Sequence, residues 1–164
     1  MSGNFKMPEF RRIIVRTPNW VGDAVMALPF LASLRLSAPD SEISVLTRSF
    51  LAEFLSQVSS CDRVIPLDES QGEHGLRLVW RNARALRVQR FDLAFCLPPS
   101  FGAALMMRLA GVGRRVGHDA DHRGWLLTDK IPYLPNGQRR HRALGSLSLL
   151  NLVFPDAITD KTLK

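Results

Sequence analysis

The segment from residue 12 to residue 38 constrains the fold more than any other. An apolar run, Ile13-Ile14-Val15, leads into Thr17-Pro18-Asn19, which a strand cannot continue. Gly22-Asp23 then opens an apolar segment of helical length, residues 24–38. This is a strand, a tight turn and a helix. In an open parallel α/β sheet the carboxyl end of a strand is where ligands bind, because the crevice and the N-terminus of the next helix both lie there. One carboxylate, Asp23, stands in that turn. Pro29 lies too deep for a first-turn proline if the helix starts at Asp23. The pattern therefore predicts either a kink at Pro29 or a helix whose regular part begins near Leu28.

The same alternation continues downstream. Residues 42–47 alternate and are β-rich, entered from the helix stop Pro39-Asp40. Ser49 is placed to cap a short helix over 50–57, and residues 63–67 read as a short strand whose Pro66 suggests an edge or a strand end. Residues 68–75 read as a loop. Residues 76–88 have helical periodicity, with Leu76, Val79, Trp80, Ala83 and Leu86 separated by Arg77, Arg81, Arg84, Arg87 and Arg90. That basic stripe reads first as a solvated surface, with a binding face as the alternative. Residues 91–97 form a near-continuous apolar strand, and Ser100 is an N-cap for a helix over 101–110. A brief strand over 114–117, a polar loop, Trp125-Leu-Leu-Thr128, a Pro- and Gly-rich loop and a helix over about 139–152 complete the order. Alternating strands and helices predict right-handed crossovers and a mostly parallel, Rossmann-like sheet with helices on both faces.

The 164 residues, 46% hydrophobic and 23% charged, suit one soluble domain. No apolar run reaches the roughly eighteen residues of a spanning helix, and the polar residues 1–9 lack the apolar centre of a signal peptide, so the expectation is a cytoplasmic chain. Cys61 and Cys96 have neither metal-ligand nor redox spacing and read as reduced thiols. Net charge is +7, and of 22 basic residues only Lys6, Lys130, Lys161 and Lys164 are lysines. The arginine bias favours carboxylate or phosphate partners, because guanidinium presents a planar fork of donors.

Several candidate chemistries have plainer readings. Asp23 fits either a helix cap or a general base, and a base would need partial burial under Trp20 to oppose the helix N-terminus, which favours the charged carboxylate. From the residues alone the cap is favoured. Gly111-Val-Gly-Arg-Arg-Val-Gly117 has the wrong context and spacing for a dinucleotide fingerprint. His118-Asp119-Ala-Asp121-His122 reads as a surface loop rather than a metal site, so no metal ligands are assigned. Ser100 lacks a nucleophile elbow. Gln138-Arg139-Arg140-His141-Arg142 divides evenly between a solvated helix start and an anion site. No recognised nucleic-acid motif appears, so nucleic acid is not an expected partner.

The stretch Arg12-Ile-Ile-Val-Arg-Thr-Pro-Asn-Trp-Val-Gly-Asp-Ala-Val-Met-Ala-Leu-Pro, with Leu34-Arg35 and Pro39-Asp-x-Glu-Ile-x-Val-Leu46, closely resembles the opening of the ADP-heptose:lipopolysaccharide heptosyltransferases, glycosyltransferase family 9, nearest their heptosyltransferase II branch. Phe91-Asp92-Leu93, Gly-x-x-Arg-Arg-Val-Gly117 and Arg123-Gly-Trp-Leu-Leu127 are weaker matches. The resemblance implies the N-terminal, acceptor-side half of a GT-B glycosyltransferase over residues 1–154, a linker stub over 155–164 and an absent C-terminal donor domain. It implies inverting transfer of heptose from ADP-heptose, with no other cofactor, to an anionic lipopolysaccharide core, with contact at the inner membrane. It makes Asp23 the catalytic base and gives Asn19, Trp20 and Gly22 to the acceptor cleft. Arg48, Arg63, Arg123 and the 139–142 cluster with His141 become candidates for phosphate or carboxylate contacts. The alternative is a non-catalytic basic module for nucleic acid or an acidic membrane surface. A nucleotide-binding domain of another class is disfavoured, since no glycine fingerprint follows the first strand.

Overall fold

The computed structural model describes residues 10–69, 75–133 and 142–157. Six strands, β1 (Arg12–Arg16), β2 (Glu42–Thr47), β3 (Arg63–Pro66), β4 (Leu93–Cys96), β5 (Arg114–Asp119) and β6 (Asp129–Pro132), form one sheet in the order β3-β2-β1-β4-β5-β6. Every neighbouring pair is parallel. The helices are α1 (Val21–Met26), α2 (Leu28–Ser37), α3 (Ser49–Ser56), α4 (Leu76–Arg87), α5 (Phe101–Leu109) and α6 (Arg142–Leu150), with a 3-10 turn at Gly124–Leu126.

Successive strand residues point to opposite faces, and both faces are covered. On one face Ile13, Val15, Ile43, Val45, Leu93 and Phe95 meet Phe30, Leu31 and Leu34 of α2, Leu51 and Leu55 of α3, and Leu147 and Leu150 of α6. Phe30 stands edge-on to Phe95 with ring centroids 5.1 Å apart. On the other face Ile14, Leu46, Ala94 and Cys96 meet Val79, Ala83 and Leu86 of α4 and Ala104 and Met107 of α5. The double coverage explains why these strands are apolar without alternation. The fold is the Rossmann-like α/β sheet that the alternating pattern predicts.

The apolar segment after the first turn is two helices rather than one. The Ala27 amide donates to the Ala24 and Asp23 carbonyls and closes α1, while its own carbonyl accepts from Leu31 and opens α2. Pro29 then falls in the first turn of α2, where its missing N–H is not needed. The restart at Leu28 is the second of the two outcomes expected from Pro29. Ser49 is the first residue of α3 and not its cap; Arg48 holds the cap position, and the Ser49 hydroxyl donates instead to the Leu67 carbonyl.

Strand β6 falls where the sequence reads as a Pro- and Gly-rich loop. It is a four-residue edge strand in which only Ile131 packs on the core, too short for a period to show. Strand β5 runs two residues past Gly117 because His118 and Asp119 pair with Ile131 and Pro132. Residues 139–141 of the expected last helix and residues 158–164 of the expected linker lie outside the described residues, whereas Phe154 is buried and stacks edge-on against Phe10.

Ser100 caps α5 as expected: its hydroxyl accepts from the Ala103 amide at 3.3 Å, while the Asp121 carboxylate accepts from the Phe101 amide at 2.8 Å. Ser100→Ala is expected to lower stability by about 1 kcal/mol, read as a shift in the urea midpoint without a change in slope.

Candidate functional site

Strand order reverses at β1: the chain proceeds outward through β2 and β3 on one side, then returns to place β4, β5 and β6 on the other. The carboxyl ends of β1 and β4 therefore border the crevice that such a reversal leaves open. The turn between β1 and α1 sits at this point. Its first residue, Thr17, is fully buried, donating its amide to the Leu46 carbonyl at 3.0 Å and bonding the Thr47 hydroxyl at 2.9 Å. The turn is thus tied to the end of β2, and the Arg16 carbonyl accepts from Leu97 at the end of β4.

Arg16, the last residue of β1, shapes the turn from below. It is 6% exposed, and its guanidinium donates to the Thr17 carbonyl at 2.6 Å and to the Asn19 side-chain oxygen at 2.5 Å. Burial, opposed by the nearby Cys96 and reinforced by Arg48, pulls its pKa down to about 10. It therefore stays charged at neutral pH, a cation fixed beneath the turn. Sequence reading did not single out Arg16; the available signal was a cation directly after the apolar run Ile13-Ile14-Val15 and before the turn. Asn19, an expected acceptor residue, is used to receive that guanidinium.

Trp20 occupies the N-cap position of α1 with no side-chain cap bond, and Asp23 is the third residue of that helix, half-buried. Asp23 thus stands in the first turn of α1, where the helix N-terminus favours its charged form, while the N-cap position itself belongs to Trp20. The Trp20 ring is 77% exposed, so it is not packed down as a cover for Asp23. A side chain added at Gly22 would meet nothing within 4 Å, so the outer side of the turn is open. Arg48 follows β2 on the same edge, where Glu69 accepts from it at 2.9 and 3.0 Å and its guanidinium lies 5.8 Å from the centre of the Phe50 ring. Asn19, Trp20, Gly22, Asp23, Arg16 and Arg48 all lie along this carboxyl edge.

Two other expected contacts are corrected. Arg123 is fully buried, donating to the carbonyls of His118 (2.8 Å), Pro98 (2.6 Å), Ser100 (2.9 Å) and Cys96 (3.3 Å). Its donors are occupied by backbone, so it clamps the ends of β4 and β5 together and does not face a ligand. Gly117 makes room for it, since a Cβ there would lie 2.9 Å from the guanidinium and 3.1 Å from the Cys96 carbonyl. Arg63 opens β3 and reaches toward the amino end of the sheet, pairing with Glu42 at 3.3 Å, away from the turn. His141 and its arginine neighbours Arg139 and Arg140 lie outside the described residues. Among the described residues no cluster of His, Cys, Asp and Glu suits a metal ion. Both cysteines are free thiols, and burial pushes Cys96 up to about 11.

The curated lipopolysaccharide heptosyltransferase 2 of Escherichia coli K12 is 30% identical over 118 residues, covering 72% of this chain and 34% of that protein. Lipooligosaccharide heptosyltransferase 2 of Haemophilus ducreyi matches at the same identity and coverage. The solved structure of E. coli ADP-heptose lps heptosyltransferase II superposes with a TM-score of 0.65 at 28% identity, over 75% of this chain and 35% of that one. The chain is related to the glycosyltransferase family 9 heptosyltransferases. This heptosyltransferase relative spans about a third of the length of the curated proteins it matches. A glycosyl transferase family 9 structure from Veillonella parvula shares its fold, with a TM-score of 0.77 at 20% identity over 92% of this chain and 44% of that one. No family model matches it.

In this heptosyltransferase relative, Arg123→Met leaves four carbonyls without their donor, and a loss of about 3 kcal/mol is expected in urea unfolding. His118, at the end of β5, is held below its ordinary pKa chiefly by burial and secondarily by Arg123. The folded chain thus resists a proton that the unfolded chain accepts, so stability present above the unfolded pKa near 6.5 falls as pH drops below it. His118→Gln is expected to flatten the thermal midpoint between pH 7 and pH 5 relative to the parent.

Proposed function

We propose that this chain is the acceptor-side, N-terminal half of a GT-B heptosyltransferase that transfers heptose from ADP-heptose to an anionic lipopolysaccharide core with inversion. The observation that carries the reading is Asp23 in the first turn of α1, next to the open side of Gly22 and at the point where strand order reverses, within the stretch whose sequence resembles heptosyltransferases. The Asp23 carboxylate takes the proton of the acceptor hydroxyl. The acceptor oxygen forms its bond to the anomeric carbon as the bond to the diphosphate breaks, and ADP leaves with the electron pair. Arg16 holds the turn, and Arg48 offers positive charge toward acceptor phosphates or carboxylates. Stabilisation of the departing diphosphate belongs to the two-thirds of the relatives that this chain does not match.

On this reading the 164 residues alone transfer little sugar. On the same reading the chain meets a membrane-borne acceptor peripherally, at the cytoplasmic face; no helix among the described residues is long and apolar enough to cross a membrane.

The base assignment is tested in a chimaera joining this chain to the remaining length of E. coli heptosyltransferase 2, assayed with ADP-heptose and a delipidated, soluble core acceptor. Asp23→Asn is expected to lower kcat by about a hundredfold with little change in KM for ADP-heptose. Near-parental turnover in the variant would reject Asp23 as the base.

A further inference from the structure

We infer that the exposed face of α4 is a docking surface for an anionic lipid bilayer. The inference names a surface for the peripheral contact proposed above and rests on that reading only in this respect. Helix α4 has twelve residues and buries Val79, Asn82, Ala83 and Leu86 against the sheet and α5. What it turns outward is unusual for a solvated face: Leu76 is 70% exposed, Trp80 58% and Val88 79%. Residues 76, 80, 84 and 88 follow one another at four-residue spacing and so form one line along the helix. Arg84 interrupts that line, with its guanidinium 5.4 Å from the centre of the Trp80 ring, and Arg77 and Arg87 flank it. The helix contains no acidic residue.

A merely solvated face gains nothing from an exposed indole and two exposed aliphatic side chains. A helix lying in a lipid interface uses both kinds of residue, burying apolar groups at the acyl boundary while cations meet headgroup phosphates. Tryptophan is favoured at that depth because its ring is apolar and its N–H is polar. A nucleic acid would engage the arginines but leave Leu76 and Val88 without a partner. An acidic bilayer engages the whole line. Because β3 runs toward the carboxyl edge, the chain enters α4 there, and Leu76 and Trp80 mark the end of the helix nearest the edge that carries the β1–α1 turn. A bilayer against this end meets the same edge of the sheet as the β1–α1 turn, on the face opposite the one that α1 covers.

The test is co-sedimentation of the full chain with vesicles of phosphatidylcholine alone, or of equal parts phosphatidylcholine and phosphatidylglycerol. Binding is expected to the mixed vesicles at low salt and not to phosphatidylcholine. Trp80→Ser, and separately Arg84→Glu with Arg87→Glu, are expected to weaken the partition about tenfold with unchanged thermal midpoints. A charge-matched control, Arg11→Glu with Arg63→Glu, lowers net charge equally but is expected to change the partition by less than about twofold. No binding to the mixed vesicles, or equal losses in the α4 pair and the control, would overturn the inference. So would duplex DNA binding that is lost in the α4 arginine pair but indifferent to Trp80→Ser. The chimaera assay uses a soluble acceptor, so failure here leaves the Asp23 result standing, and the reverse.

Discussion

Strand β1 is hydrogen-bonded along both edges, to β2 on one side and β4 on the other, and the rest of the architecture follows from that double pairing. Parallel partners on both sides require crossovers that leave in opposite directions, so helices must cover both faces of the sheet. It also collects the carboxyl ends of β1, β2 and β4 on one edge, with the β1–α1 turn between them. The amide of Thr17 and the carbonyl of Arg16 continue the ladder past the strand itself. The turn that leads to Asp23 is therefore anchored to the sheet through Arg16 and Thr17.

The arginines divide between work inside the protein and charge on its surface. Arg123 and Arg115 bind backbone carbonyls around β5, and Arg114 forms a paired contact with Asp129 that holds β6 to β5 and lowers the Asp129 pKa. Arg35 joins the end of α2 to the Ser41 carbonyl and the Asp62 carboxylate. A guanidinium suits such positions because its planar donors reach several carbonyls at once. The excess over acidic residues thus overstates what is available to a ligand. Among the described residues the outward arginines include Arg77, Arg84 and Arg87 on α4, and Arg11, Arg48, Arg90 and Arg108 elsewhere.

The sequence was a good guide where local chemistry decides the outcome. Pro29 announces the break between α1 and α2 because a missing N–H is tolerable only in a first turn. Ser100 announces its cap because a hydroxyl there can accept an N–H that the helix cannot satisfy. Reading failed where a neighbouring strand or a set of converging backbone carbonyls supplied the energy. Strand β6 has one core-facing residue and exists because β5 offers it a ladder. Arg123 looks like any exposed loop arginine until the ends of β4 and β5 close around it.

By itself the sequence determined the alternation of strands and helices, the turn after β1, the resemblance to heptosyltransferases and the identity of the one carboxylate in that turn, because period and turn chemistry are local properties. Only the tertiary structure decided which arginines are interior clamps, that Arg16 rather than Arg63 stands under the turn, and that Trp80 and its neighbours on α4 are left facing outward. Those outcomes depend on which carbonyls and faces are brought together by β pairing between residues distant along the chain.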